Sequence, residues 1–106
     1  MMMNELKIPA QPTPVGEMLT EEFLVPLKIS QGELATAMGV SRKTVNELCG
    51  NRRGVTVETA LLLSKVLGTT SGFWLNLQLI SDVWKAQHNE EFKDKLDHAA
   101  SLVAVA

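Results

Sequence analysis

The chain predicts an all-α fold, on three observations. Apolar residues recur at helical spacing through successive stretches; small polar residues stand just before those stretches and glycines just after several of them; and aromatics supply only 5% of the composition, with no tyrosine. An interior drawn mainly from Leu, Val, Ala and Met suits stacked helices better than a sheet. With 106 residues and 45% hydrophobic content, the chain can fill one compact core and leaves little room for a second.

Residues 1–13 hold three methionines, two prolines and no sustained periodicity, and are expected to form a flexible arm. From Pro14 a first helix places Val15, Met18, Leu19, Phe23 and Leu27 at helical spacing, with acidic residues early and Pro26 at its exit. Ser30 opens the run S-Q-G-E, in which the serine oxygen can cap backbone N–H groups while Glu33 reaches back to the serine N–H. A second helix follows from about Gln31 to Met38, and Gly39 can take the positive φ that stops it. Ser41 caps a third helix from about Arg42 to Cys49, with Val45 and Leu48 facing inward, ending at Gly50 and Asn51. After the loop N-R-R-G-V, Thr56 caps a fourth helix that buries Ala60, Leu63, Val66 and Leu67 before Gly68 closes it. A fifth starts near Thr70 and carries Phe73, Trp74, Leu77, Ile80 and Trp84, an apolar surface wide enough that part of it should face a partner. Residues 89–106 read as a charged helical tail, E-E-F-K-D-K-L-D-H-A-A, with a small apolar end. The domain proper thus spans 14–88.

Several function classes recede at this stage. The longest charge-free apolar stretch, Val66 to Ile80, is broken by glycines, threonines, a serine, Asn76 and Gln78, well short of the roughly 20 apolar residues a bilayer span requires. No basic region followed by an apolar run opens the chain, and the lone Cys49 cannot form an internal disulfide, so a cytoplasmic protein is expected. There is no nucleophile–base pairing, glycine-rich phosphate loop or metal-ligand spacing, so neither an enzyme nor a cofactor or metal is expected. Cys49 reads as a small structural residue, and His88 and His98 as surface groups.

Charge distribution points elsewhere. Net charge is −2, which at first counts against a phosphate-binding surface. Between Ser41 and Arg53, however, four basic residues face only Glu47, a net of +3, leaving −5 on the rest. The cations gather where the second and third helices form a helix-turn-helix: Leu34, Ala35 and Met38 pack against Val45 and Leu48 across the turn at Gly39. That packing fixes the outward face of the third helix, which presents Arg42, Lys43 and Asn46 near its N-terminus, where recognition side chains meet base edges in the major groove. Arginine can bond guanine O6 and N7 in a fork, lysine can reach the same acceptors singly, and asparagine matches adenine N6 and N7. Gln31, Ser41, Thr44, Asn51, Arg52 and Arg53 are better placed for phosphates. Glu47 could accept from a cytosine N4 or repel a misplaced phosphate. Phe73, Trp74, Leu77 and Trp84 are expected to divide between core and a dimer interface.

Four stretches carry a family resemblance: P-V-G-E-M-L-T-E-E-F-L-V-P-L, S-Q-G-E-L-A-T-A-M-G-V-S-R-K-T-V-N-E-L, N-R-R-G-V-T-V-E-T-A-L-L-L-S-K-V-L-G-T-T, and F-W-L-N-L-Q. Through them the sequence resembles the helix-turn-helix family of phage repressors and, within it, the HigA-type antitoxins of bacterial toxin-antitoxin pairs. The resemblance implies a five-helix phage-repressor-like domain that dimerises and binds an inverted-repeat operator in double-stranded DNA at its own promoter. It also implies neutralisation of a HigB-type toxin ribonuclease that cleaves mRNA. A stand-alone phage-type repressor is the alternative.

Overall fold

A computed structural model describes residues 10–103. Most of the arm expected over residues 1–13, and the last residues of the tail, lie outside the described residues. As predicted, the fold is all-helical, with no strand among the described residues.

Helix α1 (Val15–Leu19) passes without a break into a π-helical turn (Thr20–Leu24) and a last α-helical stretch, α2 (Val25–Leu27). The wide turn has a cause in the sequence. Pro26 lacks an N–H for the Glu22 carbonyl, and its ring would press on that oxygen; letting the Val25 N–H reach back five residues to the Thr20 carbonyl opens the turn around it. The rod ends two residues beyond Pro26, at Lys28, in the left-handed conformation with φ 57°. There the Ile29 N–H bonds the Leu24 carbonyl at 2.9 Å and the Lys28 N–H bonds that of Val25 at 3.1 Å. A lysine thus makes the reversal that glycine usually makes at lower cost.

Five further helices follow: α3 (Gln31–Met38), α4 (Arg42–Cys49), α5 (Val57–Leu67), α6 (Ser71–Gln87) and α7 (Glu90–His98). Each begins at a side-chain cap. The Ser30–Glu33 box is reciprocal, at 3.0 and 2.9 Å. Ser41, Thr56, Thr70 and Asn89 accept from the backbone N–H three residues on. Gly39 and Gly68 take positive φ where α3 and α5 stop; at the end of α4 the positive φ falls on Asn51, at 59°, while Gly50 keeps an ordinary one.

Leu19, Leu34, Val45, Leu48, Ala60, Leu63 and Trp74 are sealed from solvent and draw α1 and α3–α6 around one core. Trp74 corrects an expectation: at 0% exposure it offers no surface to a partner. Its indole N–H finds the Thr69 hydroxyl at 2.7 Å, and its ring meets Phe73 edge-on at 4.9 Å and Phe23 at 5.1 Å. Satisfying that one donor is what allows so large a ring to be buried whole. Phe73, Leu77 and Trp84 are half-buried, and the most exposed large apolar residue of α6 is Leu79. The charged tail is helical over α7, which buries nothing and leaves Phe92 and Leu96 exposed. No helix among the described residues is long and apolar enough to cross a membrane.

Candidate nucleic-acid interface

Helix α4 is held from both sides. Along its length, Val45 and Leu48 insert into the core beside Leu34, Ala35 and Met38 of α3. At its C-terminus it abuts the start of α1, where the Gly16 N–H donates to Asn51 Oδ1 at 2.7 Å. A Cβ on Gly16 would lie 2.5 Å from the Leu48 carbonyl oxygen, so only glycine permits the approach. With those contacts fixed, the opposite face of α4 has one orientation, and it is open to solvent.

On that face Arg42, Lys43 and Asn46 are all exposed. Arg42 and Lys43 sit in the first turn and make no hydrogen bond or ion pair among the described residues. Two cations at the positive end of a helix dipole are poorly satisfied there, a configuration that an approaching anion relieves. Ser41 and Thr44, just N-terminal and on the same turn, bond each other through their hydroxyls at 2.9 Å.

The remaining cations are tied down. Arg53 donates through Nε and Nη2 to Glu47 Oε1, at 3.0 and 2.7 Å. That bond, followed by the nearby charges of Arg53, Lys43 and Arg52, holds the Glu47 carboxyl below the usual glutamate range. Arg52 Nη2 donates to Asn46 Oδ1 at 2.6 Å, and Asn46 Nδ2 donates to Gln31 Oε1 at 3.2 Å, a chain joining the loop, α4 and the first residue of α3. The structure therefore brings Gln31, Ser41, Arg42, Lys43, Thr44, Asn46, Arg52 and Arg53 onto the region around α4. Asn51 it uses differently, spending the side-chain oxygen on Gly16 and leaving the amide nitrogen.

One contributor was invisible in the sequence. Gln78, on α6, accepts the Val55 N–H through Oε1 at 2.8 Å and passes its own amide N–H to Asp82 at 2.9 Å, anchoring the loop that carries Arg52 and Arg53. Only its amphipathic placement near the apolar stripe of α6 hinted at it. Cys49, expected to be a small structural residue, is half-buried, and burial pushes its thiol up, with the Thr20 side chain acting in the opposite sense. Among the described residues, no group of His, Cys, Asp or Glu is arranged to hold a metal.

Comparison with known proteins agrees with this architecture. Residues 21–75 match the helix-turn-helix family. The chain is 44% identical over 86 residues to an uncharacterized HTH-type transcriptional regulator of Haemophilus influenzae, covering 81% of this chain and 80% of that one. It is also 44% identical over 89 residues to antitoxin HigA-1 of Vibrio cholerae, covering 82% and 84%. Among solved structures, antitoxin GraA in complex with its operator superposes with a TM-score of 0.83 at 39% identity, over 94% of this chain and all of that one. This chain belongs to the helix-turn-helix family, among the relatives that include the HigA antitoxins.

Proposed function

We propose that the protein is a sequence-specific DNA-binding repressor and the antitoxin of a toxin-antitoxin pair. It would bind an inverted-repeat operator in its own promoter as a homodimer and neutralise a HigB-type toxin that cleaves mRNA. One observation carries the DNA-binding part: Arg42 and Lys43, with no hydrogen bond or ion pair among the described residues, stand on the exposed first turn of a helix whose other face is locked into the core. Arg42 and Lys43 read base edges, together with Asn46; Gln31, Ser41, Thr44, Arg53 and the amide nitrogen of Asn51 face phosphates. The related GraA, solved in complex with its operator, supports DNA binding. With a two-fold axis between copies, the two α4 helices lie about 34 Å apart, one turn of DNA. Phe73, Leu77, Trp84 and the exposed Leu79 supply apolar surface for that contact, whereas Trp74 does not.

Titrating Arg42→Ala with a duplex from the promoter and with a scrambled duplex tests the DNA reading. A loss on the order of 1–3 kcal/mol on the promoter and little on scrambled DNA is expected; equal losses on both would refute it. The antitoxin reading is supported by the identity to HigA-1 and by an acidic body suited to a basic partner. Expression of the neighbouring reading frame should arrest growth, and co-expression of this chain should restore it. A harmless neighbour would favour the second reading, a stand-alone repressor, which the equally similar Haemophilus regulator supports.

A further inference from the structure

Asn46 sits in the middle of a polar chain whose direction can be read from chemistry alone. A guanidinium has donors and no acceptor, so the Asn46 atom facing Arg52 at 2.6 Å is the amide oxygen. The amide nitrogen then faces Gln31 and donates to its Oε1 at 3.2 Å. Turning the Asn46 amide over would set an N–H against the guanidinium, losing the bond to Arg52 and adding a repulsion, whereas the Gln31 amide can turn to match either orientation, so Arg52 is the end that fixes it. An amide has two N–H groups and two lone pairs, and the chain takes one of each. One donor and one acceptor remain, in fixed order, and that is the complement of adenine's N7 acceptor and N6 donor.

Arg52 reaches Asn46 by folding back over Gly50. A Cβ at Gly50 would stand 2.6 Å from Arg52 Nη1 and 3.1 Å from its Cζ. Gly50 has φ −90°, a conformation open to any residue, so the bare position serves space and not backbone geometry. The obstruction would be the flexible tip of a side chain, which alanine can displace without disturbing the fold.

We infer that Arg52 is a positioning residue for specificity: folded across Gly50, it sets the amide orientation of Asn46 and so imposes adenine at one position of each half-site. This rests on the DNA-reading proposal above, and it gives Arg52 a task other than the phosphate contact its place in the loop suggests. Gln31 completes the arrangement by receiving the other end of the amide, which leaves its own Nε2 for a phosphate.

The test is selection from a random-sequence duplex library, at one salt concentration, with the wild-type chain and the variants Asn46→Ala, Arg52→Ala and Gly50→Ala. Wild type should enrich an inverted repeat with an adenine in each half-site that Asn46→Ala no longer selects. Arg52→Ala and Gly50→Ala should lose preference at that same position, by about tenfold, and keep the rest of the site. The Gly50 variant is the sharper of the two, because it retains the arginine and its charge. The inference is overturned if Arg52→Ala weakens every sequence alike with an unchanged consensus, if Gly50→Ala still selects the adenine, or if Asn46→Ala does. Failure of the parent reading looks different: the wild-type chain would enrich no sequence at all, and the inference would fall with it.

Discussion

Replacing Gly16 with alanine puts a methyl group where the end of α4 already stands. The new Cβ would lie 2.5 Å from the Leu48 carbonyl oxygen and 2.7 Å from Asn51 Oδ1, roughly an ångström short of a comfortable contact. Leu48 is held by its backbone and cannot swing aside, so α1 and α4 must separate. Overpacking of this kind costs about 1–3 kcal/mol. Stretching the bond from the Gly16 N–H to Asn51 forfeits about 0.5–1.5 kcal/mol more. The total, on the order of 2–4 kcal/mol, corresponds to a fall of roughly 10–25 °C in the melting midpoint of a domain this size. Thermal melting followed by far-ultraviolet circular dichroism measures it, with Gly72→Ala as the control. Nothing stands near a Cβ at Gly72, on the first turn of α6, so the same substitution there should stabilise by up to about 1 kcal/mol. An unchanged midpoint for Gly16→Ala, or an equal loss for Gly72→Ala, would show that the approach of α1 to α4 is not the constraint described.

Thr69→Val removes the acceptor of the buried Trp74 indole and should cost about 1–3 kcal/mol in urea titrations; an unmoved midpoint would mean the N–H has found another partner. Lys28→Gly relieves the left-handed lysine and should raise stability by about 1 kcal/mol, and a loss would show that the lysine stem is holding something. At Asn51, glycine keeps the positive φ and loses only the bond to Gly16, whereas alanine loses both, so Asn51→Ala should melt below Asn51→Gly. Glu47, with its carboxyl held below the ordinary range chiefly by Arg53, stabilises the fold above the usual glutamate pKa, and that contribution fades as pH falls through the lower folded value. Carbon NMR titration of the Glu47 carboxyl should show a midpoint that rises toward the ordinary value in Arg53→Ala; no rise would place the cause elsewhere.

How much of this was legible beforehand depended on how local the information is. The caps at Ser30, Ser41 and Thr56, and the stops at Gly39 and Gly68, lie within a few residues of what they control, and the structure has them where the sequence implied. The inward pair Val45 and Leu48 followed from spacing alone and fixed the outward face of α4. What escaped was set by distant partners. Asn51 gives its oxygen to Gly16 across 35 positions of chain, and nothing near either residue announces it. Trp74 fits an exposed apolar stripe as well as a buried one until Phe23 and Thr69 close around it. Lys28 and Asn51 in the left-handed region were hidden because Pro26 and Gly50, the more obvious breakers, stood beside them. The pairing of Arg53 with Glu47 and of Arg52 with Asn46 also lay beyond a reading that assigned loop cations by position.

The five side-chain caps bear on how quickly the protein becomes usable. Ser30, Ser41, Thr56, Thr70 and Asn89 each engage a backbone N–H only three residues away, so every helix from α3 onward can begin before distant parts of the chain have met. Helical domains dominated by such near-neighbour contacts fold within about microseconds to milliseconds. Chain synthesis, at about 5–20 residues per second, is far slower. Activity after a burst of expression is therefore timed by translation and by encounter with partners, with folding adding no appreciable delay.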